Sequence, residues 1–212
     1  MDNYPSLIHK GISRIRTGYL LDLIAYIMDL ALITMIIGST PAILMSIITT
    51  LSFPTSIITI IINIIAKLII ILLIIVIVEI AALVFKFMGF SALAKVNGVR
   101  YGAASIGLAS IVMAYVLGLL LLVLVIYVLR HIYQFTLEII MPIIILIAAI
   151  ITLFIIGNTI LLVVLWRLGD DYDTSSLLIG GVLIILSIIN GILGLIGTIV
   201  VIMGLSEILS KL

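Results

Sequence analysis

Hydrophobic residues in this chain come in long unbroken runs, without the alternating or one-sided patterns of water-soluble proteins. Over residues 57–87 nearly every position is apolar, mostly isoleucine, leucine and valine, and only Lys67, Glu79 and Lys86 carry charge. A helix rises about 1.5 Å per residue, so about 20 apolar residues cross the hydrocarbon of a bilayer. This run is long enough to cross with tilt. Comparable runs over residues 18–38, 102–129, 138–166 and 177–205 predict four further spans. The expected fold class is all-α, a polytopic transmembrane helix bundle of about five helices. Residues 42–56 are ambiguous. They hold an apolar stretch too short to span, a cluster of serines and threonines, and Pro54, which stops a helix. A half-helix dipping into the membrane and a surface loop both fit. If the segment crosses, the count becomes six.

Composition sharpens this picture. Of the 212 residues, 66% are hydrophobic and 9% charged, with a mean hydropathy of +1.61. Soluble domains are nearer half apolar and a quarter charged. Residues 18–212 therefore read as a single transmembrane domain, with the lipid bilayer as its principal partner. Residues 1–17, polar and basic, read as a cytoplasmic flank or as a short interfacial helix on the headgroup layer. A net charge of +1 offers no field to recruit nucleic acid. With no cysteine, thiolate catalysis and sulfur-ligated metal are excluded. Five spans put the termini on opposite sides. The N-terminal side then carries Lys10, Arg14, Arg16, Lys86, Lys95, Arg100 and Arg167, against Arg130 and Lys211 on the other. Positive residues stay in the cytoplasm, so the N-terminus is expected inside and the C-terminus outside the cell membrane.

The ionisable residues that fall within lipid are the candidates for function. Asp22 and Asp29 lie seven residues apart on one face of the first predicted helix. An unpaired carboxylate near a helix centre costs at least ~2.5–3.5 kcal/mol on insertion scales. Lys67 is a candidate partner for Asp29, tying the first two spans together. Glu79 lies at nearly the same depth as Asp22, and two such carboxylates can share a proton or bind a cation. A tilted or early-ending helix would instead bring Glu79 to the interface.

Small residues form a second pattern. Ala103, Gly107, Ser110, Ala114 and Gly118 recur at helical spacing along one face of the third span, and Gly191, Gly194 and Gly197 do so in the last. In lipid such stripes let helices pack closely, within a subunit or between subunits. The loop holding Asp170, Asp171 and Asp173 has the densest polar chemistry. Clustered aspartates can hold a divalent cation, but an acidic turn is commonly just solvated and no second cluster accompanies it. His9 and His131 lack neighbours at metal-ligand spacing. No catalytic residue, cofactor or metal site is assigned, and the chain is expected not to be an enzyme.

Three stretches resemble an archaeal family of multi-pass membrane proteins, common in thermoacidophiles and known only as a domain of unknown function. They are Gly11-Ile12-Ser13-Arg14-Ile15-Arg16-Thr17-Gly18; the Gly89-Phe90 pair followed by Tyr101-Gly102 and the small-residue helix; and Leu168-Gly169 through Tyr172 to Gly180-Gly181, followed by a glycine-rich helix ending Met203-Gly204-Leu205. Residues 39–87 share little with it. The resemblance implies a five- or six-helix protein of an archaeal cell membrane and brings no activity with it. The expected function is therefore that of a structural or accessory membrane protein. It would associate through its small-residue faces, as a homo-oligomer or with other membrane subunits. The alternative is a proton- or cation-coupled transporter or channel using Asp29 and Glu79.

Overall fold

The computed structural model describes the backbone of residues 4–49, 54–130, 137–187 and 190–212, and side chains within residues 5–38, 70–125, 140–187 and 190–212. All regular structure among them is helical. The helices are α1 (Tyr4–Thr49), α2 (Pro54–Val96), α3 (Gly98–Tyr101), α4 (Ala104–Arg130), α5 (Leu137–Asp171), α6 (Ser176–Leu186) and α7 (Gly191–Lys211). A backbone in hydrocarbon has no water to bond, so each segment must satisfy its own N–H and C=O groups, which a helix does even for chains rich in β-branched residues. Five of the helices are long and apolar enough to cross a membrane. Their outward faces carry exposed large apolar side chains, among them Ile27, Leu73, Ile145 and Met203, as an integral membrane protein requires.

Antiparallel pairing builds the bundle. Gly11 and Gly18 on α1 sit against Gly89 and Leu93, and against Ala82 and Lys86, on α2. A Cβ at Gly89 would strike the Gly11 carbonyl and Ile15, so the two backbones touch. Gly107 on α4 faces Gly157 on α5 in the same way. On the third pair, Gly180 faces Gly197 and Val201, while Gly204 faces Ser176 and Leu177. The small-residue stripes are thus largely used inside the chain. Gly107, Ala114, Gly194 and Gly197 are buried, and Ala103 and Ser110 are half-buried. Gly118 and Gly191 face open space.

The bounds of three regions differ from those expected. Residues 4–17 are the first turns of α1, and Ile12 and Ile15 are fully buried, in a core with Phe90, Leu93, Leu165, Leu168, Leu177, Leu205 and Ile208. Next, α1 continues through Pro41 to Thr49, so residues 42–49 extend the first helix. The side chains of residues 42–56 lie outside the described residues. The last predicted span is in fact two helices. Asn190 caps α7, its side chain accepting from the Ile192 N–H, and α6 has only 11 residues, about 16 Å of rise. That falls short of the roughly 30 Å of hydrocarbon. Because α7 runs back along α6, the two form an antiparallel helical hairpin.

The hairpin changes the expected topology. Lys211 at the end of α7 donates to the Tyr172 carbonyl at 3.1 Å and the Asp173 carbonyl at 3.4 Å. Arg100 pairs with Asp171 at 2.9 Å and Asp170 at 3.2 Å, the Tyr101 hydroxyl donates to Asp171, and Arg167 donates to the Val99 and Arg100 carbonyls. The start of α1, the α2–α4 connection, the α5–α6 turn and the end of α7 therefore share one end of the bundle. The start of α1 and the end of α7, expected at opposite ends, are brought to the same end of the bundle because α7 runs back along α6.

Two outcomes follow. Single cysteines placed at Lys10 and at Leu212, in a chain that has none of its own, should be modified by an impermeant maleimide from the same side of sealed vesicles. Gly89→Val should lower unfolding stability by about 1–3 kcal/mol through overpacking, measured by denaturation in detergent. Gly118→Ala, where a Cβ meets nothing, should cost nothing.

Candidate functional site

Tyr19, Asp22, Tyr26 and Asp29 fall at i, i+3, i+7 and i+10 on α1, which sets them on one face. Glu79, Leu83 and Lys86 do the same on α2. The two stripes meet inside the bundle, where Tyr115 of α4, Asn158 of α5 and Thr198 of α7 join them around a cavity of about 60 Å³. That is room for a few water molecules or a small cation. Asn158 and Thr198 each lie roughly 20 Å along their helices from the polar end formed by Asp171 and Lys211, at 1.5 Å per residue. The site is therefore deep within the membrane-spanning part.

Lys86 is the organising charge. Its Nζ pairs with Asp22 and lies 4.3 Å from the centroid of the Tyr19 ring, a cation–π contact. The pair is sheltered, with the Lys86 side chain 8% and the Asp22 side chain 19% exposed. Sequence depth favoured an Asp29–Lys67 pair as the tie between the first two helices. Among the described residues that tie is Asp22–Lys86, and the side chain of Lys67 lies outside them. Glu79 hydrogen-bonds with the Tyr115 phenol, and Tyr26 with Ser187 at the hairpin tip. The Asn158 amide donates to the Phe154 carbonyl at 2.9 Å. The Thr198 hydroxyl is 1% exposed and has no hydrogen-bond partner among the described residues. A buried hydroxyl that borders a polar cavity is satisfied by what the cavity holds.

Three carboxylates and one lysine line this cavity. If all were ionised, two negative charges would be in surplus. Among the described residues, no three His, Cys, Asp or Glu side chains are grouped so as to hold a metal ion. The carboxylates are therefore spread around the cavity and do not form a metal cage. A second opening reaches the same place from the side. Between α2 and α4, which pack lightly, lies an apolar groove of about 1150 Å³. It shares Asp29, Glu79, Leu83 and Tyr115 with the inner cavity.

The model of a protein family of unknown function, DUF973, matches residues 9–212. The chain belongs to that family. No curated protein and no solved structure matches it. The DUF973 match spans every helix, so it covers the whole of the polar cluster and fixes no chemistry for it.

Of the residues singled out by sequence, Asp22, Asp29 and Glu79 are brought together here. Asp170, Asp171 and Asp173 lie apart, at the end of the bundle. There Asp170 and Asp171 pair with Arg100, and Asp173 takes a left-handed φ of 51° in the turn after α5. Burial, and then the Asp171 carboxylate, push the neighbouring Tyr172 phenol up from its ordinary value. Sequence reading missed Tyr19, Tyr26, Tyr115, Asn158 and Thr198. The signal was present for the two α1 tyrosines, which share the helical face of Asp22 and Asp29. It was weaker for the others, each a lone polar residue within a greasy helix.

Lys86→Met should leave Asp22 buried without its counter-ion and cost about 3 kcal/mol or more of stability. The Asp22→Asn, Lys86→Met double variant should recover most of that loss. Denaturation in detergent, followed by helical circular dichroism, measures both.

Proposed function

We propose that this protein binds and transfers protons across the membrane. In this reading Asp29 and Glu79 take up and release them, and Asp22 is held by Lys86. One observation carries the reading: among the described residues, three carboxylates and a single lysine surround one cavity inside an apolar bundle. Taking an ionised carboxylate out of water costs several kcal/mol unless a partner compensates. One of the three has its counter-ion. The other two have no basic partner among the described residues, and in this reading exchangeable protons balance them. Tyr115 beside Glu79 and Tyr26 beside Ser187 supply hydroxyls that both donate and accept, as a relay needs. Thr198 adds another at the far wall.

The role proposed is binding and transfer, without a catalytic residue or a resident cofactor. A purely accessory role draws less support, because Gly107, Gly194 and Gly197 are spent on contacts within the chain. The shared end of the bundle carries Lys10, Arg14, Arg16, Lys95, Arg100, Arg167 and Lys211. By the positive-inside tendency, that end is the cytoplasmic one in a cell membrane.

Infrared difference spectra of the full chain in liposomes, taken across a pH titration, test this. A carbonyl-stretch band of a buried carboxylic acid should appear and disappear with pH. Glu79→Gln should remove at least half of its amplitude, and Asp29→Asn a further part. If no such band titrates in the native chain, Asp29 and Glu79 do not exchange protons.

A further inference from the structure

The geometry points to a lipophilic cation as the substrate exchanged against those protons, a molecule with an apolar body and a permanently charged or protonated nitrogen or phosphorus centre. It would enter sideways from the bilayer through the groove between α2 and α4. This rests on the proton-binding reading and names its counterpart.

Three observations carry it. First, the groove is apolar along its length, lined by side chains such as Leu72, Ile80, Val112 and Leu119. A lipid-facing groove with such walls takes the apolar part of a ligand and offers nothing to a hydrated ion. Second, its charged lining residues among the described ones are Asp29 and Glu79, with no basic residue beside them. Lys86, the lysine of the inner cavity, is committed to Asp22. The groove thus pairs apolar walls with negative charge, complementary to a hydrophobic cation and opposed to an anion or a neutral tail. Third, the groove and the inner cavity share Glu79, Asp29 and Tyr115. A cation seated at their junction competes with the proton for the same carboxylates. The unpartnered Thr198 hydroxyl on the far wall of the inner cavity adds a polar group beyond the junction, at the end of the apolar path. Its volume of about 1150 Å³ exceeds the usual range of roughly 300–1,000 Å³ for small-molecule sites, ample for a body of several rings. Charge balance is simple: one cation in, one proton out, with no covalent step.

The test uses the purified full chain in nanodiscs and two probes of nearly equal size and opposite charge, tetraphenylphosphonium and tetraphenylborate, with empty nanodiscs to subtract partitioning. Tetraphenylphosphonium should bind saturably and release protons into unbuffered solution, while tetraphenylborate should only partition. Glu79→Gln should weaken the saturable binding at least tenfold. Ala109→Trp or Val112→Trp, on the exposed groove wall of α4, should weaken it comparably while leaving the infrared carboxyl band of the native chain in place. The inference is overturned if the native chain shows no saturable phosphonium binding, if tetraphenylborate binds as well, or if neither the Glu79 nor the groove variants change it. A titrating carboxyl band without phosphonium binding removes the substrate and leaves the proton site standing. Loss of both removes the functional reading as well.

Discussion

A charge inside a bilayer has no water to hold it, and a backbone there has none either. That constraint governs both the bundle and its site. It makes every described element helical. It also gathers much of the charge at one end, where Arg100, Asp170, Asp171 and Lys211 tie α3, α5 and α7 together. What charge remains in the interior has to be collected in one place, because a polar group finds compensation only from other polar groups. Tyr19, Asp22, Asp29, Glu79, Lys86 and Tyr115 are drawn from three helices for that reason. The Asp22–Lys86 pair compensates one of the three carboxylates, and the proposed exchange concerns the other two.

Bringing those side chains together requires helices that approach closely, and glycine supplies the approach. Where Gly18 meets Lys86 and Ala82, the α1 and α2 backbones come near enough for Lys86 to reach Asp22 one turn further along α1. Where Gly194 receives the Tyr26 ring, the tip of the helical hairpin docks against α1. A side chain at either glycine would push apart the elements that wall the cavity. In this fold, packing and chemistry are set by the same residues. That explains why small-residue stripes that look like association faces in the sequence are consumed within the chain.

The runs of apolar residues made the spans legible, and lipid's intolerance of charge made Asp22, Asp29 and Glu79 stand out. Depth along a helix can be counted from sequence, because the rise per residue is fixed. Which faces meet cannot, since it depends on the register of two helices brought together by tertiary contacts. Depth therefore pointed to Lys67 as a partner for Asp29, a pair outside the described side chains, and gave no sign that Lys86, two turns from Glu79 on the same face, pairs with Asp22. The break at residues 187–190 was hidden for a related reason. Ser187 and Asn190 are a small departure from a long apolar run, and Ser187 fits a small-residue stripe equally well. Only the antiparallel seat of Gly180 on Gly197 separates a helical hairpin from a span. The basic residues at 10–16 masked Ile12 and Ile15, whose burial depends on α2 passing directly over them.

The two ends of the bundle are held differently, and the site sits between them. At the polar end, the core around Phe90, Leu93, Leu168 and Ile208 is fully buried and the Arg100 and Lys211 contacts close over it. Deeper in, α2 and α4 pack lightly, and the groove opens between them. An apolar core resists rearrangement because each displaced side chain forfeits many contacts. A lightly packed flank forfeits few. Motion in response to a change of charge at Asp29 or Glu79 would therefore fall on the α2–α4 flank, while the polar end keeps α1, α2 and α7 in register. The carboxylates lie where the closely packed part gives way to the open one, which is where the proposed exchange of a proton or a cation would act on the bundle.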